Sequence, residues 1–174
     1  MELFLIILFI IAGLFIIKIL KLFLNRFLFY IKLKISCKNK YKAKILSYKS
    51  LFFLNTKNEH DLVIENDYII FNVKICGITI NTGSVSFKDD YNFSMAKYLA
   101  RTQIIDEYNI GIKNNNTIKY NKRYLNILLF LPRPRSYYKE TKGSGYIQLH
   151  SGDLIDKKYL YNKWAFFEML KEEF

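Results

Sequence analysis

The hydrophobic pattern divides the chain into two parts. Leu3 to Ile17 are apolar without interruption. Lys18 and Lys21 then enter, while Ile19, Leu20 and Leu22 to Leu24 continue the run. A bilayer core about 30 Å thick needs roughly 20 helical residues, and Leu3 to Leu24 supplies 22. Lys18 and Lys21 stand three apart and share a helix face. Both sit at the end of the run where their stems can carry the ammonium groups out to the headgroups. The run is too long and too uniformly apolar for the buried helix of a soluble core. A cleaved signal peptide wants a basic start and a small-residue cleavage site. Here Glu2 is the only side-chain charge before the run, and Asn25 to Lys34 is bulky and basic. The pattern predicts an uncleaved transmembrane anchor. Arg26, Phe27, Leu28, Phe29, Tyr30 and Ile31 interleave charge with aromatics, a composition suited to the membrane interface. The expected division is an anchor and interfacial helix over 1–31 and a folded domain over 32–174.

The pattern behind the anchor changes to a period of two. Tyr41 to Leu54 is rich in β-branched and aromatic residues, and Lys42, Ala43, Lys44, Ile45 alternate, which predicts a strand. Asn55 to Asp61 is turn-like. Leu62 to Ile64 and Tyr68 to Ile75 read as strands separated by the turn Glu65-Asn66-Asp67. Cys76-Gly77 permits a reversal, Ile78 to Asn81 returns, and Thr82-Gly83 precedes Val85 to Phe87. An antiparallel meander is expected.

Further on, Asn92 or Ser94 can cap a helix. Met95, Tyr98, Leu99, Thr102 and Ile105 follow at three- and four-residue spacing, so an internal helix ending near Tyr108 is predicted. Asn114 to Asn116 is a loop. Thr117 to Leu131 contains a strand closing on the apolar run Ile127 to Leu131, which Pro132 and Pro134 stop. Five apolar residues are far too few for a second span. Tyr146 to Leu149 is a final strand. Ser151 or Asp153 is expected to cap a last helix through Trp164, Phe167 and Leu170. The fold class is α+β: one transmembrane helix, then a mainly antiparallel β domain with one internal and one C-terminal helix.

Composition sharpens this picture. With 7 glycines and 2 prolines, a long disordered linker is not expected. Two cysteines, Cys37 and Cys76, are too few for a stapled secreted scaffold and read as free thiols in a reducing compartment. Cys37 lies just past the span among lysines, where palmitoylation or a lowered thiol pKa is conceivable. An unmodified cysteine is the plainer reading.

Charge sets the orientation. Through Lys44 the positive side chains are Lys18, Lys21, Arg26, Lys32, Lys34, Lys38, Lys40, Lys42 and Lys44, nine against Glu2, or +8 of the total +12. Basic residues flanking a span stay on the cytoplasmic side. The N-terminus is therefore expected outside, and the domain at the cytoplasmic face of the cell membrane. Lys18, Lys21, Arg26, Lys32 and Lys34 form the membrane-proximal basic set. Topology and attraction to anionic headgroups, about 1 kcal/mol per basic residue near the surface, account for this charge without nucleic acid.

A second basic cluster comprises Lys119, Lys122, Arg123, Arg133, Arg135, Lys139 and Lys142 against Glu140 alone, with Tyr120, Tyr124, Tyr137 and Tyr138 interleaved. Arginine and tyrosine together suit phosphate groups or a protein interface. With the anchor in place, headgroups are the nearest phosphates. A solvated loop on a lysine-rich protein is the competing reading.

Catalytic signals are thin. His60, Asp61 and Glu65 match no zinc spacing. Lys142-Gly143-Ser144-Gly145 has neither the nucleophile-elbow nor the phosphate-loop spacing. A Ser144, His150, Asp153 triad can be drawn, but an intervening strand carries Ser144 and His150 apart. No small-xxx-small motif surrounds Ala12 and Gly13, so the helix shows no helix-pairing signature. The expectation is a single-pass, non-enzymatic binding module without a cofactor. Its expected partners are the bilayer with its anionic headgroups, or a protein of a membrane complex. The alternative is a membrane-bound hydrolase or nuclease using His60, Asp61 and Glu65, or His150.

Overall fold

A computed structural model of the chain describes residues 2–48, 60–77, 82–88, 92–99, 102–109, 122–141, 145–155 and 157–174. The apolar run forms nearly the first two thirds of one continuous helix, α1 (Glu2–Ser36). Its 35 residues extend about 52 Å at 1.5 Å per residue, well beyond a bilayer core. Among the described residues α1 is the one helix long and apolar enough to cross a membrane, judged by length and composition. Phe4 to Ile11 and Leu14 to Ile17 of its first part are exposed, whereas Phe29, Leu33 and Cys37 are enclosed by the domain. A wide helical turn, Cys37–Tyr41, ends it, and Lys42 adopts a left-handed conformation (φ 47°) that turns the chain into the first strand.

Eleven strands follow among the described residues: β1 (Lys44–Tyr48), β2 (Leu62–Glu65), β3 (Ile69–Gly77), β4 (Thr82–Phe87), β5 (Asn92–Leu99), β6 (Thr102–Asn109), β7 (Arg123–Leu131), β8 (Ser136–Glu140), β9 (Tyr146–Leu149), β10 (Leu154–Ile155) and β11 (Lys158–Asn162). The helix α2 (Lys163–Glu173) closes the chain. One sheet has the order β1-β2-β3-β7-β11-β10 and the other β6-β5-β4-β8-β9. Six of the nine strand pairings are antiparallel and three are parallel. The class is α+β with mainly antiparallel pairing, and the large sheet is mixed at its centre, where β7 runs parallel to both β3 and β11.

The alternation along β7 explains the layering. Leu125, Ile127, Leu129 and Leu131 join Phe29 and Leu33 of α1 and Phe166, Phe167 and Leu170 of α2 in one core. Leu128 and Phe130 join Val85, Phe87, Phe93, Met95 and Tyr137 in a second core. Both helices therefore cover one face of the large sheet, and the small sheet covers the other. A strand buried on both faces reads as a continuous apolar run rather than an alternating one, as Ile127 to Leu131 does.

The expected internal helix is not present. Residues 92–99 and 102–109 are instead the antiparallel pair β5 and β6, in register from Asn92↔Asn109 to Leu99↔Thr102. Phe93 and Met95 point to the second core two residues apart, and the Phe93 ring packs against Phe87 and Phe130 at 5.7 and 5.5 Å between centroids. That requirement, with β-branched and aromatic residues at Tyr98, Thr102, Ile104 and Ile105, outweighs a spacing that also fits a helix. The cap of α2 also differs from expectation. Asn162, not Ser151 or Asp153, accepts hydrogen bonds from the N–H groups of Trp164 and Ala165. Ser151 instead accepts from the Asn162 side chain at 2.7 Å. Cys76 and Gly77 continue β3 rather than reversing it.

Candidate functional site

The second basic cluster, contiguous in sequence, is divided in space. Lys122 and Arg123 lie where β7 begins, and Arg133 and Arg135 lie just beyond its end. Eight residue steps of about 3.3 Å separate the two ends of β7 by roughly 26 Å. At the first end Lys122 donates to the Glu65 carboxylate and, at 2.8 Å, to the Asn66 carbonyl. Arg123 faces Glu173 of α2 at 3.4 Å. Those two cations are engaged in closing the fold. Arg133 and Arg135 are exposed, Lys139 is half-buried on β8, and Lys119 and Lys142 lie outside the described residues. Tyr137 is enclosed by the second core, and burial pushes its hydroxyl well above the usual tyrosine range, with Arg133 partly offsetting that effect.

The alternative catalytic residues also separate. Asp61 is 1% exposed. It accepts a hydrogen bond from the Ile75 N–H at 2.9 Å and faces the buried Lys74 ammonium at 3.4 Å. Glu65 stands at the opposite end of β2, held by Lys122. His150 lies on the exposed turn after β9, its Nδ1 4.0 Å from Asp153, and Ser144 is outside the described residues. Among the described residues no three His, Cys, Asp or Glu side chains gather.

Both thiols are free and buried. Cys37 is not on the surface among the lysines: it is 2% exposed within the core that α1 forms with the large sheet. Burial, helped by Asp61 and partly offset by Lys74, pushes the Cys76 thiol up to about 12. Thiolate is the reactive form. Maleimide is therefore expected to label neither cysteine of the native protein at mildly alkaline pH and both after denaturation, read by mass spectrometry. Rapid native labelling would contradict the placement of either thiol.

A cleft of about 190 Å³ lies where α1 meets the domain. It is lined by Asn25 and Arg26 of α1, Pro132 and Arg133 of the β7–β8 turn, and Lys163 and Trp164 at the start of α2. Three of these are cations, and no carboxylate is among the lining residues. The first turn of α2 carries no acid either. Trp164 is 65% exposed, with the Lys32 ammonium 5.1 Å and the Lys163 ammonium 5.9 Å from its ring centroid, distances at which a cation is attracted to an aromatic face. Burial first, and the neighbouring Lys32 second, lower the pKa of Lys163 below the usual lysine value. Arg26, Lys32 and Arg133 belong to the basic sets read from the sequence. Asn25, Lys163 and Trp164 do not, although Trp164 is the only tryptophan of the chain and stands beside a lysine where a helix begins. No known family, curated protein or solved structure matches this chain.

Proposed function

We propose that this protein is a membrane-anchored, non-enzymatic binding module whose domain works at the cytoplasmic face and engages anionic lipid headgroups or a partner protein. The observation that carries this reading is the continuity of α1. Only four residues stand between Leu24, where the apolar run ends, and Phe29, which is fully buried in the domain core. At 1.5 Å per residue the intervening helix is roughly 7 Å long. The domain is thus held at headgroup level by a rigid helix and is not suspended on a flexible tether. The excess of basic residues at this end of the span supports the cytoplasmic placement.

Two measurements test the reading. The protein is expected to stay in the membrane through alkaline carbonate extraction, and a C-terminal fluorescent-protein fusion is expected to fluoresce while the equivalent alkaline phosphatase fusion is inactive. An active phosphatase fusion reverses the orientation, and release by carbonate removes the anchor. Lipids and proteins retained through purification in mild detergent then identify the ligand class. Enrichment of anionic phospholipid over the source membrane supports headgroup binding, and a stoichiometric protein supports the partner alternative.

A further inference from the structure

The geometry points to a specific ligand for the cleft at the helix–domain junction: the phosphate of one anionic phospholipid, held by Arg133 and Lys163 beside Trp164. This inference rests on the membrane-anchored reading above and deepens it. Three elements distant in sequence converge on the cleft, and each brings a cation: Arg26 from α1, Arg133 from the β7–β8 turn and Lys163 from α2. Lys32 adds a fourth positive charge beside Trp164. Lys163 and Lys32 repel one another beside Trp164, and the lowered pKa of Lys163 reflects burial first and that repulsion second. A bound phosphate relieves it and accepts charge-assisted hydrogen bonds from guanidinium and ammonium together.

Position selects the lipid over a soluble anion. Asn25, which lines the cleft, directly follows Leu24, the last residue of the apolar run. The cleft therefore opens at the level of the headgroups. Tryptophan favours that zone, where its ring meets the apolar boundary and its N–H meets water. Leu131 and Pro132 give the same cleft an apolar wall, suited to the glycerol and first methylenes of a lipid and of no use to a free ion.

Trp164, as the only tryptophan, reports directly on occupancy. Full-length protein in dodecyl maltoside is titrated with dihexanoyl phosphatidylglycerol, dihexanoyl phosphatidylcholine and inorganic phosphate while tryptophan emission is followed. A saturable change with phosphatidylglycerol alone is expected. Arg133→Ala with Lys163→Ala should weaken it by roughly tenfold or more, as expected for losing two charge-assisted contacts. Lys171→Ala, an exposed residue in the last turn of α2, should leave the midpoint unchanged. Arg133 is exposed, so a thermal midpoint for Arg133→Ala alone separates lost binding from lost folding. The assignment is overturned by the absence of a saturable change, by equal response to phosphatidylcholine, or by equal weakening in Lys171→Ala. Saturation by inorganic phosphate at the same midpoint overturns the lipid and assigns the cleft to a soluble anion. These failures appear in detergent and leave the extraction and fusion results standing, so they are distinguishable from failure of the anchor.

Discussion

Replacing Phe29 with alanine is expected to cost about 3–5 kcal/mol and to loosen the anchor helix from the domain. Phe29 is fully buried, and its ring lies 6.1 Å from that of Phe166 and 5.7 Å from that of Phe167, tilted against both. Deleting a ring of this size leaves a cavity between α1, α2 and the large sheet, and the walls of such a cavity relax only partly. Domains are stable by only about 5–15 kcal/mol, so the loss is a large fraction of the whole. The expected readout is a lower thermal midpoint of the full-length protein in detergent, with faster tryptic cleavage at Lys32 and Lys34. Phe15→Ala serves as control, because Phe15 is 64% exposed in the apolar first part of α1 and belongs to neither core. Equal midpoints for the two variants would refute the docking of α1 and, with it, the proposal that a rigid helix holds the domain at the membrane.

Asp61→Ala is expected to be comparably severe, through charge rather than volume. Asp61 and Lys74 are both buried, 3.4 Å apart, and the Asp61 carboxylate also accepts the Ile75 N–H. Removing the acid strips Lys74 of that counter-charge and Ile75 of its acceptor, and breaking a buried pair in this way costs about 3–5 kcal/mol. Replacing both members, with Asp61→Ala and Lys74→Met, removes both charges of the pair. The double variant should therefore be less destabilised than the sum of the two single changes. Asp61→Asn preserves an acceptor for Ile75 and should lie between wild type and Asp61→Ala. Urea denaturation midpoints measure all four. Strict additivity would mean that the two charges do not interact. A strong coupling would mark Asp61 as a residue spent on holding β2 to β3, which weakens the hydrolase alternative built on His60, Asp61 and Glu65.

The candidate site was only half legible. Arg26, Lys32 and Arg133 stood out because they are basic residues in conspicuous runs. Lys163 carries no local signal of that kind, and nothing in the run Arg133 to Lys142 distinguishes Arg133, which reaches the cleft, from Arg135 beside it. Lys122 and Arg123 illustrate the opposite failure. They are close to Arg133 in sequence, but β7 is extended and places them at the other end of the domain. Proximity along a strand is lost at about 3.3 Å per residue.

The amino-acid sequence alone determined the elements whose physics is local. The long apolar helix over Leu3 to Leu24 needs only uniform apolarity and length. The turn at Asn66 needs only a short side chain that accepts from the N–H groups of Tyr68 and Ile69. The strand at Ile127 to Leu131 needs an apolar run too short for a span. The tertiary structure decided what depends on partners. It chose strands over a helix at 92–109, because Phe93 and Met95 pack against Phe87 and Phe130 from elsewhere in the chain. It set β7 parallel to both β3 and β11, a pairing between segments dozens of residues apart that no local period encodes. It also assembled the cleft from residues 25–26, 132–133 and 163–164. A charge pattern along a chain records which residues are basic, but the field that an anion feels depends on which of them the packed core brings together.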